Sequence, residues 1–496
     1  MPHGHAHLGE TTPRSVFYAQ GRFGRLFPTL PPFAADTPTI RDALAELGAA
    51  GGPMDPGDDL SDPITLVTDP AKSLTNPNNP TITAGFTFLG QFLDHDMTFD
   101  PTSSLARRQD PEAIRNFRIP ALDLDSVYGG GPVASPQLYD RTVDGGQTSL
   151  LVEEIPGSGA VSIDGSTRTD LPRNSQLVAL VGDPRNDENL VVSQLQLAFL
   201  RFHNRVLADV KADLGPGYTR QELFAEAQRV VRWHYQWLVL HEFLPVTVGQ
   251  ALVDDVLANG PLHYTWRNDP FIPVEFSVAA HRFGHSQIRP SYRANFATSA
   301  TDPAQQFFAL FLDPAADPDD PADLRGGRRA PRRFIDWQTF CDFGDGRVRP
   351  NKKIDTKLSS VLFNLLGQPE GEPTSLATRN LLRNLTMGVP SGQRVARAMQ
   401  LPELAPADLQ DLEPLHLEQR TPLWFYVLRE AEVTAGGEHL GPVGGRIVAE
   451  VIVGLIRGDR QSYLRQDPGW IPTYGSGGDF TVVDLLQAAG VVATIP

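Results

Sequence analysis

The chain has 496 residues, 41% of them hydrophobic, which is enough to fill a sizeable core and excludes a disordered chain. A formal net charge of -16 argues against general affinity for nucleic acid or anionic membranes, since both need clustered lysine and arginine on the contact face. Cys341 is the single cysteine, so an intrachain disulfide and any cysteine-built metal or iron–sulfur site are excluded, and a metal must be held by His, Asp, Glu or carbonyl oxygens.

The start, MPHGHAHLGETTPRSVFYAQ, lacks a charged segment followed by an apolar run. No secretory signal peptide is expected, and the protein reads as soluble, cytoplasmic or exported without a cleavable leader. His3, His5 and His7 could hold a metal ion, but a flexible histidine-rich tail is the plainer reading. Residues 1–80 read as an irregular arm wrapping a single large domain at 81–496. Stretches rich in Gly and Pro at 51–63, 156–166 and 313–333 read as loops between helices.

The spacing predicts a helix at 187–213 and another that opens on a capping box, Thr219 to Glu222, and stops before Pro245, while the segment at 86–97 is a candidate helix. Period-two runs are few, at 150–155 and 481–486. The longest apolar stretch, 447–456, is too short to span a bilayer, and no repeat of 20 to 50 residues is present. The fold class is therefore mainly α, one helical domain with long loops and very little β.

Five stretches carry candidate chemistry. In GQFLDHDMTFD (90–100), a helical turn of about 100° per residue sends Asp94, His95 and Asp96 three ways, while Gln91 and His95 share a face. Metal-dependent phosphohydrolases also use His–Asp pairs, and a hydrogen-bonded core histidine is the ordinary alternative. In RIPALDLDSVYGGGP (118–132), Asp123 and Asp125 lie on one side of an extended loop with the Ile119 and Ala121 carbonyls, a spacing that suits a hard cation or, equally, a helix-capping turn. In GDPRNDEN (182–189), Arg185 and Glu188 share a face, as a surface ion pair would. In EFSVAAHRFGHSQIRPSY (275–292), His285 follows Arg282 by one turn and could serve as an axial iron ligand. In LATRNLLRNLTMGVPSGQ (376–393), the Asn380 carbonyl could accept from a ligating histidine, with Arg383 one turn on.

Together, in order and approximate distance over residues 20 to 400, these stretches resemble the animal-type haem peroxidases of the peroxidase–cyclooxygenase superfamily, especially bacterial members. The resemblance implies a helical domain around a buried haem b and a peroxidase that reduces hydrogen peroxide through a ferryl intermediate. It would oxidise small one-electron donors, and halides or thiocyanate are candidates. His95 becomes the distal base, Gln91 a distal pocket residue and Arg185 the distal arginine. Asp94 and Glu188 become the carboxylates that form esters to the haem. His285 becomes the iron ligand, Asn380 its partner, and Arg282 and Arg383 the propionate arginines. Asp96, Asp123 and Asp125, with carbonyls of Ile119 and Ala121, become a calcium site.

The departures have consequences. Asn189 stands where a sulfonium-forming Met occurs in some members, so that link is not expected. Ile119 replaces the usual threonine of the calcium loop, and NLTMG follows Arg383 in place of SRDHG. Fatty-acid dioxygenases and cyclooxygenases of the superfamily carry a radical-forming Tyr where this chain has Arg282, which favours peroxidase. A His–Asp metal-dependent hydrolase and a non-catalytic calcium-stabilised adhesion protein are the remaining alternatives.

Overall fold

Two long helices form the centre of the molecule. Leu190–Leu214 begins where the Asn189 side chain accepts from the Val192 N–H at 2.9 Å. Arg220–Leu238 begins at the expected capping box, with Thr219 and Glu222 bonded reciprocally. Most residues of both are buried, and the two helices pack against each other. Pro245 does not end the second helix as expected. A π-turn at Val239–Phe243 shifts the hydrogen-bond register, and Pro245 falls in the first turn of Leu244–Val248, where its missing N–H is not needed.

The computed structural model describes residues 21–142, 148–266, 269–297, 307–309, 324–327 and 330–495. His3, His5 and His7, and most of the 313–333 loop, lie outside the described residues. No helix among the described residues is long and apolar enough to cross a membrane.

The candidate helix at 86–97 spans Gly85–Met97. Its Phe92 ring stacks on Phe199 of Leu190–Leu214 with centroids 4.8 Å apart, and Tyr235 meets both rings edge-on. With that face packed, the face carrying Gln91 and His95 is left to a cavity. A second wall comes from the 3-10 turn Ala280–His285, shorter than the helical pattern predicts. Trp424 Nε1 donates to the Arg282 carbonyl at 3.1 Å, and the Asn384 amide bridges the Val278 carbonyl and the Trp424 N–H at 2.6 and 3.0 Å. Two helices, Leu376–Thr386 and Leu423–Ala435, thereby hold this turn from behind.

The stretch read as an irregular arm contains a ten-residue helix, Pro38–Leu47, capped by Thr37. Near its start, Phe23–Gly24 pairs in parallel with Ile272–Pro273, and the buried Glu275 carboxylate accepts from the Leu26 and Phe27 N–H groups at 2.9 and 3.2 Å. Of the two strand readings, Glu153–Glu154 does pair, antiparallel, with Thr169–Asp170. The other is corrected: Val482–Ala488 is a helix opened by a Thr481–Asp484 capping box, with Val482, Leu485 and Leu486 buried on one face.

His234, on Arg220–Leu238, faces the Val230 carbonyl through Nδ1 at 2.7 Å and accepts the Thr473 and Tyr474 N–H groups on Nε2 at 3.0 and 3.1 Å. Burial pushes its pKa down to about 4. An unfolded histidine titrates near 6.5, so between these values the unfolded chain binds more protons and stability falls as the pH drops. The expected loss is about 3 kcal/mol, and urea unfolding at about pH 7.5 and about pH 4.5 should show a smaller difference in His234→Gln.

Candidate active site

Gln91, Asp94 and His95 line a cavity of about 460 Å³ together with Glu188, Arg282 and His285. Much of the remaining lining is apolar, including Phe86, Phe88, Ile288 and Leu362. Asp94 and Arg282 also border a smaller cavity of about 110 Å³, where Arg185 and Arg383 join them. Asp94 and Arg282 line both spaces, which makes them adjoining compartments.

On the helix side, His95 is 4% exposed, with Nδ1 2.8 Å from Asn186 Oδ1. Its Nε2 lies 3.5 Å from Glu188 Oε1, and that carboxylate accepts from Gln91 Nε2. Asn189, already the cap of Leu190–Leu214, donates to Gln91 Oε1 at 3.1 Å and so orients the glutamine.

Arg185 and Glu188 do not form the surface pair their spacing allows. Asp183, fully buried two residues earlier, claims the guanidinium through contacts of 3.1 and 2.8 Å. Arg185 also donates to the carbonyls of His95 and Thr98, sits over the Phe99 ring at 4.6 Å, and lies 4.0 Å from Asp94 Oδ2. It therefore borders the smaller compartment, apart from Gln91 and His95. Burial alone would raise the Asp94 carboxyl, but His281 and Arg185 hold it below its ordinary value.

On the turn side, His285 Nδ1 meets the Asn380 amide at 2.7 Å, as the pairing predicts. The amide is turned, however: its Oδ1 accepts from Arg282 Nη1 at 2.9 Å, which leaves Nδ2 facing the ring. Arg282 takes the carbonyl because a sheltered cation needs an acceptor. Burial and then the Arg282 charge push His285 down to about 3, so the imidazole is neutral. Arg383, one turn beyond Asn380, donates to Ser103 Oγ and is pushed down to about 10 by burial and by Arg282.

The carboxylate oxygens of Asp96, Asp123 and Asp125 all lie within 4.8 Å of one another, and all three residues are buried. Asp96 accepts the Leu124 N–H at 3.1 Å and the Ser126 hydroxyl at 3.0 Å, with Leu124 in the left-handed region at φ 60°. Ile119 and Ala121 lie in the same loop, where the Ile119 carbonyl accepts from the Ala121 N–H at 2.8 Å. Burial and the neighbouring carboxylates push Asp96 up to about 7 and Asp125 well above the carboxylate range. Three carboxylates held this close fit a divalent cation.

Several participants escape a reading by motif. Arg118 donates to Asp125 at 3.0 Å and to Asp183 at 2.9 and 2.6 Å, which joins the acidic cluster to Arg185 through alternating charges. Its signal is a lone cation at the head of RIPALDLD. His281 lines the larger cavity, stacked on Phe276 at 4.7 Å, and its spacing of four from His285 could have drawn notice. Asn186 and Gln196 leave no local pattern.

The family model for animal haem peroxidases matches residues 108–466. A chorion peroxidase of Drosophila melanogaster is 26% identical over 296 residues, 57% of this chain and 34% of the relative, so the match spans about a third of that protein. Among solved structures, peroxidase A from Dictyostelium discoideum aligns with a TM-score of 0.62 at 18% identity, covering 97% of this chain and 95% of that one. A fatty acid alpha-dioxygenase from Oryza sativa aligns with a TM-score of 0.53 at 14% identity, covering 89% and 78%. These two likenesses concern the fold.

Proposed function

Because the chain belongs to the animal haem peroxidase family, we propose that it binds haem b in the cleft and reduces hydrogen peroxide while oxidising small one-electron donors, with halides or thiocyanate as further candidates. The observation that carries this reading is the meeting of His95 and the neutral His285 in one cavity, each bonded to a side-chain amide. The cleft fits the group. A largely apolar chamber suits a macrocycle, and the adjoining compartment, where Arg185, Arg282 and Arg383 meet, suits its two carboxylates.

His285 would hold the iron through Nε2. That requires its proton on Nδ1 and the Asn380 oxygen turned toward it, a rotation that frees Arg282 for a propionate. Asp94 and Glu188, both on the cavity wall, would carry the ester links, and Asn189 has no sulfur for a third. Bound there, haem would supply the two-electron and one-electron redox chemistry that the side chains cannot.

His95 manages the proton, taking it from one peroxide oxygen and returning it to the other so that water departs instead of hydroxide. Arg185 would lend positive charge from the smaller compartment, 4.0 Å from Asp94, which lines both. Calcium on Asp96, Asp123 and Asp125, with carbonyls of Ile119 and Ala121, would brace the helix that presents His95. The dioxygenase alternative lacks its radical-forming tyrosine, since Arg282 stands three residues before His285.

The haem-loaded protein should consume one peroxide for every two one-electron donor oxidations. Peroxide loss without donor oxidation, or no turnover at all, would contradict the reading. Extraction into acidified organic solvent should leave the haem on the chain, and complete release of unmodified haem would remove the ester links.

A further inference from the structure

We propose that Asn186 and Gln196 are positioning residues that decide which ring nitrogen of His95 carries the proton, with the direction set by the backbone carbonyl of Ser126. The inference rests on the reading of His95 as the proton acceptor. Neither residue is among those lining the two cavities, and both are fully buried. Gln196 sits in the otherwise apolar run LQLAFL of Leu190–Leu214, where an amide is costly unless bonded.

One group in the series cannot change role. The Ser126 carbonyl can accept but never donate, and Gln196 Nε2 donates to it at 3.4 Å. Gln196 Oε1 must then face the other way, where it accepts from Asn186 Nδ2 at 2.8 Å. That leaves Asn186 Oδ1 facing His95 Nδ1 at 2.8 Å. An amide oxygen has no proton to give, so Nδ1 bears the hydrogen and Nε2 presents its lone pair. Turning either amide over would set two donors or two acceptors face to face, at a cost of about 1–3 kcal/mol for the buried group left unpaired. Glu188 Oε1 lies 3.5 Å from Nε2, and that oxygen is already engaged by Gln91 Nε2.

The series returns to where it began. Ser126 directs its hydroxyl and N–H at Asp96 Oδ1, at 3.0 and 3.5 Å, and Asp96 is the residue after His95. Gly182 lets the GDPRN stretch lie against this loop, because a Cβ there would fall 2.5 Å from the Ser126 carbonyl and 2.6 Å from that of Asp125. The order of the acidic loop is thus read out as the direction of a lone pair in the active cavity.

The test uses the full chain, haem-free, with ¹⁵N-labelled histidine. Long-range proton–nitrogen correlation distinguishes protonated from bare ring nitrogens, and His95 is assigned by the signal lost in His95→Gln. The expected result is a protonated Nδ1 and a bare Nε2. Asn186→Asp, which keeps the acceptor, should preserve this pattern. Asn186→Leu, of similar shape, should lose it, with the proton moving to Nε2 as in free histidine.

In the haem-loaded enzyme, Asn186→Leu should slow the peroxide reaction by roughly tenfold or more without changing KM for the donor. If Asn186→Leu does not fold, Gln196→Leu and the wild-type spectrum carry the same decision. A wild-type His95 protonated on Nε2, or an Asn186→Leu variant that keeps Nδ1–H, overturns the proposal. An active peroxidase with Nε2–H would sink this inference alone, whereas a chain that takes up no haem but shows Nδ1–H would sink the peroxidase reading and support the series.

Discussion

Replacing His95 with glutamine should slow the reaction with hydrogen peroxide by about 10²–10⁴-fold, the usual range for a positioned proton-transfer group. Haem uptake should be unchanged, because the proposed iron ligand His285 and the proposed propionate partners Arg282 and Arg383 belong to other segments. Glutamine is close in size and can still face Asn186, so the variant removes the base with little change in packing. Stopped-flow absorbance of the haem-loaded protein measures the effect. A loss smaller than about tenfold would show that the proton is handled by another group, and Glu188, 3.5 Å away, would be the first to examine.

The second large effect concerns stability. Arg118 is 3% exposed and stands between Asp125 and Asp183, both buried. Removing one partner of a buried charge pair leaves the other desolvated and uncompensated, typically at a cost of about 3–5 kcal/mol. Arg118→Met should therefore lower the unfolding free energy by about that amount in urea titration. With its counter-charge gone, the acidic cluster should depend more on a cation, so excess calcium should recover more stability in the variant than in the parent chain. A loss below about 1 kcal/mol would mean that Asp125 sheds its charge instead, as its raised pKa allows.

Which parts of this arrangement were legible depended on the range of the interaction. The helical period puts Gln91 and His95 on one face, which lines the cavity, and turns Asp96 away, toward the Leu124–Ser126 backbone. The capping box at Thr219 was likewise local and readable. The second box, Thr481 to Asp484, was equally local, but an apolar run of TVVDLL satisfies both periods over so few residues.

The course of Arg185 was not readable, because it depends on the burial of Asp183, which in turn depends on Arg118 sixty-five residues earlier in the chain. Asn380 does face His285, but the orientation of its amide is not readable from the motif, since the competing donor, Arg282, comes from another segment. Asn186 and Gln196 were invisible for the same reason. An amide in an apolar run acquires meaning only when the fold supplies a carbonyl for it to face.

Whether the cleft holds haem and reacts with peroxide is decided by the visible spectrum of the protein purified after growth with haem supply. A Soret band that shifts on addition of hydrogen peroxide is expected, with the band lost in His285→Ala and the shift slowed in His95→Gln. A colourless protein under those conditions, or a Soret band unaffected by peroxide, would contradict the peroxidase reading.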